Sequence, residues 1–243
     1  MTLRQTNTNR TRLLCFPYAG GDWTIYRNWQ PFFDDSVEVV PIGLKGRGRM
    51  INQPPLTSWV ELINDLWDTI EPYLHEPHIF FGHSFGGRIA YELAHKCRTI
   101  NNHNTRLLMI SACRSPNYPQ KQPYMHKLAD DRFLEAIQRM SGTPAVALKN
   151  KSLTDLMLPS LRADMKLAEI WHARSSRKVN VPIAAFYGSH DLIESVDSIA
   201  GWREFTTAGF SMQETSGGHF YINDNQKMFT DLIKRTLQNY ETN

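Results

Sequence analysis

Short apolar runs alternate along this chain with segments in which apolar residues recur every three to four positions. The runs that predict buried strands cover residues 12–16, 37–42, 78–82, 107–111, 183–187 and 210–214. Apolar runs of this length are typical of parallel strands, because helices cover both faces of a parallel sheet. The alternation therefore predicts an α/β fold, with a mostly parallel twisted sheet flanked by helices.

The clearest helix is predicted over residues 59–74. Its apolar stripe consists of Trp59, Ile63, Leu66, Trp67, Ile70 and Leu74. Ser58 and Glu61 have the spacing of a capping box at the N-terminus of this helix. Similar stripes follow Gly86 and Asn223, and we expect all three helices to pack against the sheet.

One connection, over residues 112–182, is much longer than the dozen or so residues that a parallel crossover needs. A loop of that length without secondary structure is improbable in a compact domain. Apolar periodicity over 130–140 and 153–171 predicts a small helical insertion packed over one edge of the sheet. We expect a single domain over residues 1–243, with a lid insertion at approximately 114–178.

Composition narrows the class of protein further. The chain has 243 residues, 41% of them hydrophobic and 21% charged, which excludes disordered and fibrous architectures. The net charge of +3 is spread along the chain, so we expect no nucleic-acid partner. No apolar run approaches a membrane span or a secretory signal, so we expect a cytoplasmic protein that does not bind membranes.

The cysteine content points to a reducing compartment. Cys15, Cys97 and Cys113 are odd in number and lack the spacing of a zinc site, which argues against a disulfide framework and against a structural metal. Cys113 follows a predicted strand, where it either lines a pocket or, more simply, forms part of the buried core as an inert thiol.

The strongest chemical signal is GHSFG at residues 82–86, between a predicted strand and a predicted helix. This is the strand–turn–helix context of a serine nucleophile at a sharp turn. Gly82 and Gly86 would permit the close approach of strand and helix, and Ser84 would be exposed at a helix N-terminus. The backbone N–H of Phe85 could then face developing negative charge. A glycine-rich turn without a catalytic role is the alternative.

A serine nucleophile requires a base and a group that orients the base. His219 lies between the last predicted strand and the last helix, and Asp191 follows the strand at 183–187. The order serine, acid, histidine is that of α/β-hydrolases rather than of chymotrypsin-like enzymes. Glu194 and Asp197 are rival acids on the same loop, but Asp191 is closest to the strand end.

A second oxyanion donor is expected in the loop after the first strand. Gly20 and Gly21 let the backbone turn there at little steric cost, so that the amide of Ala19 could point at the same oxygen as the amide of Phe85. The alternative is an ordinary turn.

A further glycine-rich segment, residues 43–49, lacks the spacing of a phosphate-binding loop, so nucleotide binding is improbable. Its two arginines, Arg47 and Arg49, belong either to a solvated loop or to a site that meets a phosphate on a substrate arm.

Taken together, these segments resemble the stand-alone type II thioesterases of polyketide and nonribosomal peptide synthesis, which are α/β-hydrolases. The resemblance extends over nearly the whole chain and is carried by FPYAGG (16–21), KGRGR (45–49), GHSFGG (82–87), LPSLRAD (158–164), YGSHD (187–191), GWREFT (201–206) and GGHFY (217–221). The family commonly has proline at the position of Lys45, which is a local departure. LPSLRAD resembles the lid helix of the family.

The resemblance implies Ser84 as nucleophile, Asp191 as acid, His219 as base, and the amides of Ala19 and Phe85 as the oxyanion hole. It also implies hydrolysis of acyl or aminoacyl thioesters on the phosphopantetheine arm of carrier proteins, without a cofactor or metal, by a monomer. Such hydrolysis clears misprimed or stalled intermediates. A carboxylesterase or acyltransferase of the same fold is the alternative, and a non-catalytic module that binds acyl carriers is a third hypothesis.

Overall fold

Six parallel strands form one sheet in the computed structural model, which describes residues 10–118, 123–140, 150–171 and 177–241. The strands are β1 (Thr11–Phe16), β2 (Val37–Pro41), β3 (His78–His83), β4 (Thr105–Ser111), β5 (Ile183–Gly188) and β6 (Phe210–Thr215). All six predicted runs are confirmed, with ends displaced by no more than two residues. The sheet was expected to be mostly parallel, and every described strand pair in it is parallel.

The strand order is β2-β1-β3-β4-β5-β6. The chain therefore passes from β1 outward to β2 and then returns to the other side of β1 to form β3. In open parallel sheets, ligands bind outside the carboxyl ends of the strands at such a reversal. The loops that follow β1 and β3 are consequently the first places to look for a site.

Helices cover both faces of the sheet. The described helices are α1 (Trp59–Ile70), α2 (Phe85–Thr99), α3 (Asp130–Arg139), α4 (Lys151–Ile170), α5 (Val196–Ala200), α6 (Tyr221–Asp224) and α7 (Gln226–Glu241). Neighbouring strand residues point to opposite faces, so Leu14 and Phe80 pack with α1 and α2, whereas Leu13 and Phe81 pack with α7. The apolar runs contain few polar positions because both faces are buried.

The helix predicted over 59–74 is shorter than expected. α1 ends at Ile70, and a 3₁₀ turn follows over Glu71–Tyr73. Pro72 has no N–H group with which to continue the α-helical hydrogen bonding, which explains the early end. The predicted capping box is also wrong: the side chain of Ser58 makes no capping hydrogen bond. The first turn is exposed at Val60, so its amides can be hydrated instead.

The long connection between β4 and β5 contains the two predicted helices, α3 and α4, which we call the helical cover. They pack together through Phe133, Ile137, Leu161 and Met165, a cluster separate from the two clusters on the sheet. Leu167, nearer the C-terminus of α4, belongs to the core of the domain. The extent of the insertion, 114–178, and the single-domain assignment stay predictions, since 119–122, 141–149 and 172–176 lie outside the described residues.

The helices predicted after Gly86 and Asn223 are confirmed as α2 and α7, and the short α6 precedes α7. Within the described parts of the chain, no helix combines the length and apolar character that crossing a bilayer requires.

Candidate active site

A strained turn joins β3 to α2 and carries Ser84, whose φ of 53° and ψ of −114° are unusual for a residue other than glycine. A Cβ atom at Gly82 would lie 2.0 Å from the carbonyl oxygen of Gly86, and one at Gly86 would lie 2.1 Å from that of Phe16. Only glycine therefore permits this approach of strand, turn and helix. The Ser84 N–H donates to the carbonyl of Ser111 on β4 at 2.7 Å, which helps to hold the turn.

Three sequence-predicted residues meet at the carboxyl ends of the strands. The Nε2 atom of His219 lies 3.0 Å from the Oγ atom of Ser84, and its Nδ1 atom lies 2.8 Å from an oxygen of Asp191. Asp191 follows β5, and His219 lies in the loop between β6 and α6. Both side chains are at most 3% exposed, so solvent competes little for these hydrogen bonds.

Asp191 is oriented by backbone groups of its own loop. Its second oxygen accepts hydrogen bonds from the N–H groups of Ile193 at 2.8 Å and Glu194 at 3.0 Å. Burial alone would raise the pKa of Asp191, but the hydrogen bond and charge of His219, with the two backbone amides, bring that pKa below its ordinary value. The ionised carboxylate accepts the Nδ1 proton of His219, leaving Nε2 free to accept a proton from Ser84.

Glu194 and Asp197, the two alternative acids, lie in surroundings that differ from those of Asp191. Glu194 is buried and accepts a hydrogen bond from Nε of Arg114 at 2.8 Å, while Arg88 lies 3.9 Å from the same oxygen. Asp197 is exposed in the first turn of α5. Of the three acidic candidates, the structure brings Asp191 to His219.

The two predicted oxyanion residues lie beside the serine. Ala19 and Phe85 line the same cavity as Ser84. The loop that carries Ala19 turns tightly, because the Gly21 N–H donates to the carbonyl of Tyr18 at 2.8 Å and Gly20 has a φ of +74°. The use of the Ala19 and Phe85 amides as an oxyanion hole remains a prediction.

A cavity of about 480 Å³ opens beside Ser84 and His219. Its apolar lining comes largely from the helical cover and the segment before it: Met125, Leu128, Ala136, Ile137, Met140, Leu161 and Met165. Charged side chains also contribute to the wall: Arg88, Arg114, Arg139, Glu169 and Glu194. The volume is in the range of sites that hold small molecules, and its apolar part suits a hydrocarbon group.

His83, directly before the nucleophile, is a buried residue for which the sequence suggested no function. Its Nδ1 atom lies 2.8 Å from the Oγ atom of Ser111, which in turn lies 2.6 Å from the hydroxyl of Tyr221. Burial, and next the nearby His219, lower the pKa of His83 well below its ordinary value. A neutral His83 ring thus packs behind His219, with 5.5 Å between ring centroids.

The two arginines of the segment over 43–49 have different surroundings: Arg49 fits the solvated-loop interpretation, whereas Arg47 fits neither interpretation. Arg47 is neither solvated nor free to meet a phosphate, because it is buried in an ion pair with Asp164 of α4. Arg49 is exposed and lies over the ring of Trp23, with 4.4 Å to the ring centroid. Asp164 is 117 residues from Arg47, so no local pattern signals the pair.

Cys113 is a buried core residue rather than part of the cavity wall described here. Burial raises the pKa of its thiol to about 12, so little thiolate exists near neutral pH. The interpretation of Cys113 as a buried core residue is confirmed.

The fold and the Ser84–His219–Asp191 arrangement define an α/β-hydrolase. Within that class the chain belongs to the thioesterase domain family, whose model matches residues 11–237. The family resemblance inferred from the sequence motifs is confirmed.

Individual relatives lead to the same family. The chain is 31% identical over 229 residues to the gramicidin S biosynthesis protein GrsT of Aneurinibacillus migulanus, with 94% of this chain and 90% of that protein covered. It is similar to the solved structure of ClbQ from the colibactin NRPS/PKS pathway, with a TM-score of 0.89 and 28% sequence identity. The match covers 96% of this chain and 99% of the ClbQ chain. Comparison with the structure of YbtT, a type II thioesterase from the yersiniabactin NRPS/PKS pathway, gives a TM-score of 0.83 and 26% sequence identity. This match covers 99% of this chain and 97% of the YbtT chain.

Proposed function

We propose that this chain hydrolyses acyl and aminoacyl thioesters held on the phosphopantetheine arms of carrier proteins. In polyketide or nonribosomal peptide synthesis, this activity removes misprimed or stalled intermediates. The observation that carries the proposal is the hydrogen-bonded series Asp191–His219–Ser84, which opens onto a partly apolar cavity. Membership of the thioesterase domain family, and similarity to proteins of antibiotic and NRPS/PKS biosynthesis, support the same substrate class.

In the proposed acylation step, the hydroxyl of Ser84 attacks the thioester carbonyl while His219 takes its proton. Asp191 stabilises the imidazolium that forms, and the amides of Ala19 and Phe85 hold the oxyanion. The tetrahedral intermediate collapses, the carbon–sulfur bond breaks, and the pantetheine thiol leaves with the proton. The acyl group is then an ester on Ser84.

Deacylation repeats the same chemistry with water. His219 takes a proton from water as the oxygen attacks the acyl-Ser84 ester, and returns a proton to Ser84 as the carboxylic acid leaves. A thiol leaves more readily than an amine, so the acylation step needs little general-acid assistance. The phosphopantetheine belongs to the substrate, and the proposed cycle uses no cofactor of the enzyme.

Carrier proteins are accordingly the proposed partners. Their phosphopantetheine arm would bring the thioester to Ser84, with the acyl group in the cavity beneath the helical cover. The monomeric state and the cytoplasmic location stay predictions from the sequence.

Mass spectrometry of carrier proteins loaded with a panel of acyl and aminoacyl groups tests this proposal. The wild type should convert acylated carrier protein to the free thiol form, and Ser84→Ala should lower the rate by roughly 10⁴-fold or more. A fluorophosphonate probe should label Ser84 alone. Matched small oxygen esters provide the competing substrates in parallel reactions.

Two outcomes would replace the proposal. A strong preference for oxygen esters over every carrier-bound thioester would favour a carboxylesterase. Equal release of product by the wild type and Ser84→Ala would favour a module that binds acyl carriers without cleaving them.

A further inference from the structure

A buried ion pair links the helical cover to the loop after β1. Arg47 and Asp164 are paired through the two terminal guanidinium nitrogens, Nη1 to Oδ2 and Nη2 to Oδ1, with 2.8 Å between Nη2 and Oδ1. Their side chains are only 8% and 5% exposed. Neither residue lines the cavity described above, and neither takes part in the proposed hydrogen-bonded series.

Each member of this pair also holds a peptide group of the loop. Oδ2 of Asp164 accepts a hydrogen bond from the backbone N–H of Gly20 at 2.8 Å. Nη1 of Arg47 donates to the carbonyl of Gly21 at 3.2 Å. The backbone directly after Ala19 is therefore fixed by two charge-assisted hydrogen bonds, which are stronger than neutral ones.

Packing adds to this connection. A Cβ atom at Gly20 would lie 2.7 Å from Cδ1 of Leu161, so the loop lies directly against α4. Leu161 and Asp164 are three residues apart on this helix and therefore share a face. Ala19 itself packs against the cluster of the helical cover. The position of the Ala19 backbone thus depends on residues of α4.

We propose that Arg47 and Asp164 are positioning residues for the oxyanion hole. They fix the peptide groups that follow Ala19, so that its amide is aimed at the oxyanion only while α4 is docked. The inference rests on the proposed function, because it assigns the Ala19 amide a catalytic use. It also joins two distant segments that carry the family resemblance, KGRGR (45–49) and LPSLRAD (158–164).

A purely structural role for the pair is the competing explanation. Removing one member of a buried pair leaves an uncompensated charge and is strongly destabilising, whatever the catalytic role. The test must therefore separate loop position from folding. The double variant Arg47→Gln/Asp164→Asn removes both charges but keeps a side-chain oxygen that can accept the Gly20 N–H.

The experiment compares Asp164→Ala, the double variant and the wild type by thioester hydrolysis, by the rate of Ser84 labelling with a fluorophosphonate, and by hydrogen exchange. Asp164→Ala should lower kcat by about 100-fold, the scale of one lost oxyanion donor, with less than about twofold change in KM. Exchange should rise in the peptide over 16–22. The kcat of the double variant should be at least about tenfold higher than that of Asp164→Ala, because the hydrogen bond to the Gly20 N–H is restored.

Asp130→Asn is the matched control. Asp130 pairs with Arg162, which lies two residues before Asp164 on α4, but this pair connects parts of the helical cover to each other. Its loss should change kcat by less than about twofold. Melting temperature, measured for every variant, reports any general effect on folding.

The inference is overturned if Asp164→Ala leaves both kcat and hydrogen exchange over 16–22 unchanged, or if the loss of activity lies in KM. It is also overturned if kcat follows melting temperature across all variants, the control included.

Failure of the proposed function gives a different result. In that case the wild type would not hydrolyse carrier thioesters, yet labelling of Ser84 would still slow at least tenfold in Asp164→Ala if the positioning role holds.

Discussion

The carboxyl edge of the sheet and the helical cover position their functional groups by different means. At the sheet edge, Ser84, Asp191 and His219 each lie within four residues of a strand end, and backbone contacts fix the turns that carry Ser84 and Asp191. In the helical cover, side-chain pairs span long sequence separations, as between Asp164 and Arg47. We therefore expect Ser84, Asp191 and His219 to stay in place without the helical cover, whereas the cavity and the proposed oxyanion loop at Ala19 should depend on the docking of the cover.

The largest effect is expected at the sheet edge, from Asp191→Asn. The amide can donate to His219 and favour the wrong tautomer, so Nε2 could no longer accept the Ser84 proton. We expect kcat to fall by about 10⁴-fold, as in other serine hydrolases whose triad acid is replaced by its amide. Steady-state hydrolysis of an acylated carrier protein, followed for the wild type and for Asp191→Asn, measures this fall in kcat.

Asp197→Asn is the control for charge on the same loop. Asp197 is exposed, so its replacement should change kcat by less than about twofold. A similar loss in both variants, or a loss below about tenfold for Asp191→Asn, would contradict the assignment of Asp191 as the acid.

Matched aromatic truncations compare the two regions directly. Phe80 on β3 and Phe133 on α3 are both fully buried, but Phe80 belongs to the core of the sheet and Phe133 to the cluster of the helical cover. Phe80→Ala should lower the free energy of unfolding by about 3–5 kcal/mol. Phe133→Ala should lower it by less than Phe80→Ala does, because the loss cannot exceed the free energy at which the helical cover opens locally while the sheet stays folded.

Urea unfolding and hydrogen exchange distinguish these effects. For Phe133→Ala, faster exchange should be confined to α3, α4 and the loop over 16–22. Equal losses of global stability in the two variants, with uniform exchange, would mean that cover and sheet unfold as one unit and would remove the contrast.

The same contrast explains how much the sequence could predict. All six strands and the meeting of Ser84, Asp191 and His219 at the sheet edge were predictable, because buried parallel strands produce apolar runs and these three residues closely follow strand ends. The glycines at 82 and 86 were informative since each removes a clash within a local turn. These features depend on residues close together in the chain.

The missed features depend on partners that are distant in sequence. The sequence suggests for Arg47 either a solvated loop or a site that meets a phosphate on a substrate arm, because its buried partner Asp164 lies on another element. The capping box at Ser58 failed for a different reason: the motif is local, but the exposed first turn does not require it. The extent of the lid could not be fixed because periodicity predicts helices but not how they dock.

The smallest of these effects is a pH dependence of stability that originates in the sheet. Among the residues that the structure describes, no carboxylate pairs with the buried His78 or His83 of β3. Burial lowers the pKa of His78 from 6.5 to about 4 and that of His83 well below 6.5. Below pH 6.5 the unfolded chain binds these protons while the folded chain does not, so stability falls as pH falls. His78, with its pKa near 4, should contribute about 1.4 kcal/mol to the loss between pH 8 and pH 5.5, and His83 should add a loss of the same sign.

Urea unfolding at pH 8.0, 6.5 and 5.5 measures this loss in the wild type and in His78→Gln. The variant should be less stable at pH 8, because hydrogen bonds to Thr105 and to the Glu76 carbonyl are altered, but its loss between pH 8 and pH 5.5 should be about 1.4 kcal/mol smaller. His103→Gln, at an exposed position, should keep the wild-type slope. An unchanged slope in His78→Gln would place the titrating groups elsewhere.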